Sequence, residues 1–399
     1  MKLACVVHRF GADIAGGSEA HCRNVSDHLA ASHDVTILTS CAKDHVSWRN
    51  EYQPGPSTLG ALKVLRFPVA RERSIRQFAE VSERAFSGTA SESVQEDWFR
   101  ENGPNAPGLL AHLQTRGGEY DCILFWAFRY AEVYFGLPHV RERAVLVPTA
   151  EEDPAIFLSV LERFFALPAG YIFLTPEEQD LVEHRMSTAT PPSCIVGCGL
   201  DPASPGPALD LASLGLSDPF LLYLGRIDPN KGCADLLAHF IRFKAEHEGP
   251  VQLVMAGPAN MPLPAHPDIR YLGFVDEPTR EALLRRAVML AMPSRYESLS
   301  MVLLEAWNHG LPAVVNAHCA VLKGQARRAN GALYYRNYDE FARCVSVLLE
   351  RPETARQLGA QGLAYVEREY RWPTVIGKID ALLATVAGAT RRRSSGGAS

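Results

Sequence analysis

The sequence predicts an α/β protein made of two Rossmann-like, doubly wound domains facing a cleft. Three observations carry this. The length of 399 residues exceeds what one ordinary core organises. Short apolar runs alternate with helical patterns along most of the chain, the signature of parallel strands joined by crossover helices. That alternation also starts afresh after a stretch rich in Pro, Gly, Ser and Asp at 191–219. The expected domains are 1–195 and 196–373, followed by an amphipathic helix at 374–388 and a disordered Ser/Gly tail at 389–399.

In the first half Leu3–Val7 reads as a buried strand, the segment from Gly11 to Gly17 as a loop, Ser18–Ala31 as a helix and Val35–Thr39 as the second strand. A crossover of that length suits a parallel pair. Val64–Phe67, Cys122–Trp126, Ala144–Val147 and Tyr171–Leu174 continue the series. Thr175-Pro176-Glu177-Glu178 is a helix start, with a Thr cap, Pro at the first helical position and acids in the first turn. Ser193–Val196 is a short strand at the boundary. The second half begins with strand Phe220–Leu224, loop Gly225–Lys231 and helix Cys233–Glu246, followed by strands Gln252–Ala256 and Ile269–Leu272. Helix Pro278–Arg286, strand Val288–Ala291, helix Val302–Asn308 and strand Ala313–Val315 complete it.

Composition excludes several classes. A net charge of −5 offers no general attraction to nucleic acid or to an anionic membrane, so nucleic acid is not an expected partner and membrane association is absent or peripheral. Arg391-Arg392-Arg393 reads as a solvated tail. The nine cysteines are scattered without a Cys-x-x-Cys pair, which points to neither zinc nor redox chemistry. Cys5, Cys122 and Cys194 read as buried reduced thiols. The apolar start reaches His8-Arg9 after one strand length, too short for a signal segment, and no run approaches the ~18 apolar residues of a membrane span. A cytoplasmic location is expected.

Function should sit in loops that follow strands. Gly16-Gly17-Ser18-Glu19 opens the first helix, where glycines admit a close ligand and free N–H groups attract a phosphate; a structural turn explains it equally well. It lacks Gly-x-Gly-x-x-Gly, which disfavours a nicotinamide site. The loop 225–232 places Arg226 and Lys231 at the ligand end of the sheet, and two cations suit a diphosphate. The segment 292–306 sets Glu297 and Glu305 eight residues apart. A loop glutamate can accept from sugar hydroxyls and one two turns into a helix from a ribose diol. The N–H groups around Ser298, Leu299, Ser300 and Met301 would hold phosphates between them. Glu305 stands in an otherwise apolar helix, where burial without a partner is costly, and this favours a ligand contact.

At these residues the chain resembles the large retaining glycosyltransferase family 4, group 1 glycosyl transferases with the GT-B fold. The matching motifs are Gly16–Glu19, Gly225-Arg226 with Lys231-Gly232, Glu297 with seven residues to Glu305, and the continuation Trp307–Val314. The resemblance runs over roughly residues 1–385. It implies that Arg226 and Lys231 bind the diphosphate of a UDP- or GDP-sugar, Glu297 its sugar and Glu305 its ribose. It also implies that the last helix crosses back onto the first domain. The nucleotide sugar is a co-substrate, and neither a further cofactor nor a divalent metal is expected; no Asp-x-Asp occurs.

Relatives carry a histidine where Ala150-Glu151-Glu152-Asp153-Pro154 has Glu151. A carboxylate beside a diphosphate is repelled unless protonated or turned toward the acceptor. Glu151 therefore reads as an acceptor-activating base, a neutral replacement or a sign of altered chemistry. In Trp126-Ala127-Phe128-Arg129-Tyr130 the aromatics suit sugar stacking or plain packing, and Arg129 suits an anionic acceptor. His8 reads as a structural histidine before a cleft residue. The expected reaction is retaining transfer of a hexose-type sugar to a hydroxyl- or thiol-bearing acceptor, with Glu297, Arg226, Lys231 and Glu151 as catalytic candidates. Cell-surface glycans and specialised metabolites such as antibiotics or small thiols are the expected contexts. The rivals are a nucleotide-sugar 2-epimerase of the same fold and a non-catalytic sugar-nucleotide module.

Overall fold

The computed structural model describes residues 1–14, 16–204, 214–216 and 219–396, the last four by backbone alone. It divides into two compact units, Met1–Gly199 with Trp372–Ser399, and Leu200–Arg371.

In the first unit β1 (Lys2–Val7), α1 (Gly17–Leu29) and β2 (Asp34–Ser40) form a parallel crossover, with Leu3 opposite Val35 and Val7 opposite Thr39. Leu3 to Val7 are wholly buried, because a strand paired on both sides and covered on both faces carries an unbroken apolar run and not an alternation. An edge hairpin follows, β3 (Gly55–Leu59) antiparallel to β4 (Leu62–Phe67), turning at Gly60 with φ +58°. Sequence patterning shows only the inner strand of that pair, since Gly-Pro-Ser-Thr-Leu has no apolar rhythm. Helices α2 (Ile75–Ala85), α3 (Glu92–Asn102) and α4 (Pro107–Arg116) lead into β5 (Cys122–Trp126). Then come α5 (Ala131–Gly136), β6 (Ala144–Val147), α6 (Val160–Phe164), β7 (Gly170–Phe173), α7 (Pro176–Glu183) and β8 (Ser193–Ile195). The strand order is β3-β4-β2-β1-β5-β6-β7-β8, so the order reverses at β1.

The closing helix Trp372–Gly396 packs on this unit: Cys122 Sγ lies 3.6 Å from Leu383 O, and the Trp372 ring stacks on His28 at 3.6 Å. It continues past 388, correcting the expected tail. Thr390 donates to Glu142 O at 2.8 Å and Arg391 reaches Asp121 at 3.1 Å, so two polar contacts prolong the helix where the sequence turns polar. Residues 397–399 lie outside the described residues.

The second unit opens with β9 (Phe220–Leu224), α8 (Cys233–Glu246), β10 (Gln252–Ala256), β11 (Ile269–Gly273) and α9 (Glu277–Arg286). It continues with β12 (Met289–Met292), α10 (Met301–Asn308), β13 (Ala313–Asn316), α11 (Ala320–Ala329), β14 (Ala332–Tyr335), α12 (Tyr338–Glu350) and α13 (Pro352–Glu369). Its sheet is parallel in the order β11-β10-β9-β12-β13-β14, reversing at β9. The loops after β9 and β12 thus flank the switch point, the crevice where open α/β sheets bind ligands. Among the described residues no helix is long and apolar enough to cross a membrane.

None of the nine cysteines forms a disulfide. Cys5 and Cys122 are buried and Cys194 partly so; burial pushes all three thiols up to about 12, which leaves them inert.

Candidate functional site

In the second unit the loop after β9 is shaped by glycines that no other residue could replace. Gly225 has φ +133° and Gly257 has φ +137°, and a Cβ on Gly257 would collide with Gly225 O. Gly232, at φ +73°, lies so close that its Cβ would strike Pro293 O. The start of α8 is therefore pressed against the loop after β12. Between these points Asp228 accepts from Asn230 N at 2.9 Å, and Tyr223 donates to Arg226 O at 2.7 Å, which fixes the loop from below.

This close approach joins two of the candidates. Lys231 Nζ donates to Glu297 Oε1 at 2.9 Å, with side chains only 27% and 11% exposed. Arg226 lies on the same loop, half-exposed, with its Nε 3.7 Å from Asp228. Leu299 and Ser300 are buried, and Ser300 caps α10 by accepting from Leu303 N at 3.3 Å. Met301 begins the helix beside Ser298 and the loop, so the positive end of the α10 dipole faces the switch point.

One sequence argument is corrected. Glu305 is not without a protein partner: it forms an ion pair with Arg280 of α9. Burial opposes the guanidinium charge, but Glu305 outweighs it and holds Arg280 charged. Nothing local announces the pair, because β12 separates α9 from α10 in sequence. A single cation leaves room for a ribose contact but removes the inference that burial alone demands one.

In the first unit the Gly16–Glu19 loop is organised by its own glutamate. Glu19 accepts from His8 Nε2 and Arg9 Nε, each at 2.9 Å, and its carboxylate lies where a Cβ on Gly16 would be. Burial works against its charge, yet His8 and Arg9 hold the carboxyl well below the usual range. Gly16 is thus needed for the approach of Glu19, while Gly17 meets no neighbour that would exclude a side chain. Residue 15 lies outside the described residues.

The aromatic segment after β5 divides. Trp126 and Phe128 are wholly buried and serve packing, so the stacking alternative fails for them. Trp126 Nε1 donates to His21 Nδ1 at 3.0 Å while His21 Nε2 meets Gly197 O at 2.8 Å; burial brings that histidine down to about 4 and keeps it neutral. Tyr130 stacks on His8 at 3.7 Å. Arg129 pairs with Asp153 at 2.9 Å and also feels Glu151, so the cation expected to serve an anionic acceptor is already balanced by carboxylates. Ala127 and Thr149 sit at φ +67° and +47°, strained conformations at the mouths of neighbouring strands β5 and β6.

Glu178, read from sequence as an acid favouring its own helix start, does more. It is buried, and its two oxygens accept from Ala150 N and Leu174 N, each at 2.6 Å, tying the loop of Glu151 to β7. Burial pushes its carboxyl from 4.5 up to about 8. The folded protein then holds a proton that the unfolded chain releases between those values. Its stabilising contribution is complete below 4.5 and is lost as pH rises through about 8. Tm should fall across that interval more in the wild type than in Glu178→Gln, as measured by calorimetry in matched buffers.

Residues 218–351 match the sequence family described as glycosyl transferases group 1. An uncharacterized glycosyltransferase of Methanocaldococcus jannaschii is 29% identical over 142 residues, 33% of this chain and 36% of that protein. A glycogen synthase of Mycobacterium tuberculosis is 29% identical over 168 residues, 39% of this chain and 40% of that one. The chain therefore spans between about a third and a half of the length of the curated relatives it matches. In three dimensions it is similar to trehalose-6-phosphate from E. coli bound with UDP-2-fluoro glucose, with TM-score 0.71 and 13% identity over 96% of this chain and 99% of the other. The chain has the GT-B fold, and its second unit is similar in sequence to the group 1 glycosyl transferases.

Proposed function

We propose that the protein is a retaining, metal-independent glycosyltransferase that moves a hexose-type sugar from a UDP- or GDP-sugar to a hydroxyl-bearing acceptor. The observation that supports it best is the 2.9 Å contact between Lys231 and Glu297 at the β9 switch point. A cation and a carboxylate held side by side match two neighbouring groups of one ligand, a phosphate and a sugar hydroxyl. Arg226 adds a second charge for the diphosphate, and the first turn of α10 adds N–H donors. Together they would stabilise the leaving nucleoside diphosphate as it departs. Glu305, steadied by Arg280, would accept from the ribose. The bound UDP-2-fluoro glucose of the E. coli fold neighbour favours a nucleotide-sugar donor.

A thermal-shift panel of UDP- and GDP-sugars tests the donor. A ligand at 100 times its Kd stabilises the fold by about 2.7 kcal/mol, a shift of several degrees. Silence toward every member of the panel would refute the reading.

In the same proposal Glu151 is the acceptor-side base. Glu151→Gln should then lower kcat by about 10²-fold. Glu151→His should restore part of the activity. Full activity of the Gln variant would remove Glu151 from the mechanism.

A further inference from the structure

The parallel pairing of β6 with β7 ends early. Val145 stands opposite Gly170 and Leu146 opposite Tyr171, and Pro148, just beyond β6, has no N–H to offer. Past that point one side chain takes the place of ladder bonds. Glu178 of α7, only 1% exposed, accepts from Ala150 N with Oε1 and from Leu174 N with Oε2, each at 2.6 Å. Its carboxyl group thus bridges the carboxyl ends of two neighbouring strands, the side on which such sheets receive ligands.

The loop it holds is an unusual one. Thr149 lies at φ +47°, a left-handed conformation that a β-branched residue keeps only where its surroundings impose it. At the other end of the loop Arg129 pairs with Asp153 at 2.9 Å, and Asp153 accepts from Ala155 N at 3.1 Å. Glu151 lies between, half-buried, its carbonyl accepting from Asp153 N at 2.8 Å. The backbone that carries Glu151 is therefore clamped on both sides, and Glu178 is the clamp on the strand side.

Stability alone does not call for a carboxyl group at this place. Burial works against the charge of Glu178, and neighbouring Glu151 adds to the repulsion. A titratable group kept at such a cost marks a functional constraint. Two acceptor oxygens are needed to satisfy both amides, since a glutamine would turn its NH2 toward one of them.

We propose that Glu178 is a positioning residue for sugar transfer, which sets the place of Glu151 by bridging Ala150 and Leu174 and touches neither substrate. The proposal rests on the reading of Glu151 as the acceptor-side base.

Steady-state kinetics on the wild type, Glu178→Gln, Glu151→Gln and the double variant test it, each assayed well below its melting temperature. Glu178→Gln should lower kcat about tenfold, the scale of a sub-ångström misplacement, and leave both KM values within about twofold. In the Glu151→Gln background it should cost less than about twofold, because the loop's position matters only while it carries the base. A purely structural role would cost the same factor in both backgrounds. Should Glu178→Gln not fold, Glu178→Asp, too short to span both amides, enters the same cycle. Wild-type kcat in Glu178→Gln, or an equal loss in both backgrounds, would overturn the proposal and leave Glu151 as the base. Full activity of Glu151→Gln would remove both.

Discussion

Lys231→Ala is expected to lower kcat/KM for sugar transfer by about 10²–10³-fold, the usual loss when a preorganised charge partner of a developing anion is removed. The fall should appear mainly in kcat, because in the proposed reaction charge builds on the diphosphate as the glycosidic bond breaks. Stability should change little: the Lys231 side chain is 27% exposed and the loop is held by Gly232, Asp228 and Tyr223 independently of it. Glu297→Gln should cost a similar factor. The double variant should lose much less than the product of the two single losses, since the side chains touch and, in the proposed reaction, act on one ligand. Steady-state kinetics on the three variants, with far-UV melts as control, decide the matter. Strict additivity would mean that the contact between them has no bearing on transfer.

The second large effect is structural. Trp307 is wholly buried on α10, donates from Nε1 to Gly331 O at 2.8 Å, and is the reason two glycines stand opposite it. A Cβ on Gly331 would come within 2.7 Å of Trp307 Nε1, and one on Gly362 would overlap the indole ring. Trp307→Ala should therefore destabilise the second unit by about 3–5 kcal/mol. It leaves a large void and removes one of the two donors to Gly331 O, which keeps only Ala313 N at 3.3 Å. Chemical denaturation monitored by tryptophan fluorescence and circular dichroism would measure it; a loss below about 1 kcal/mol would show that the α10–α13 packing collapses to fill the gap. Because α10 is capped by Ser300 and carries Glu305, affinity for the proposed donor should weaken at temperatures where the variant is still folded.

Elements with a strong local signal were legible without coordinates. Cys122–Trp126, Ala144–Val147, Phe220–Leu224 and Gln252–Ala256 are strands with the bounds that their apolar runs suggest. Each is a short run between polar loops, covered on both faces, and burial on both faces writes itself into consecutive residues. The edge strand β3 and the outer strand β14 escaped because one side of each meets solvent or a single neighbour. The helix Trp372–Gly396 outran its apolar stripe because its last contacts are polar.

The sequence by itself determined the α/β class, the two successive sheets and the loops in which Arg226, Lys231, Glu297 and Glu305 stand. Those features follow from periodicity and from residue types at strand ends, information that is local along the chain. Only the tertiary structure decided which groups meet: Lys231 with Glu297, Glu305 with Arg280, Glu19 with His8 and Arg9, and Glu178 with the backbone of Ala150. Partners more than a turn apart in sequence are chosen by crossover geometry and by where glycines let backbones touch, and a carboxylate carries no local mark of the charge it will face.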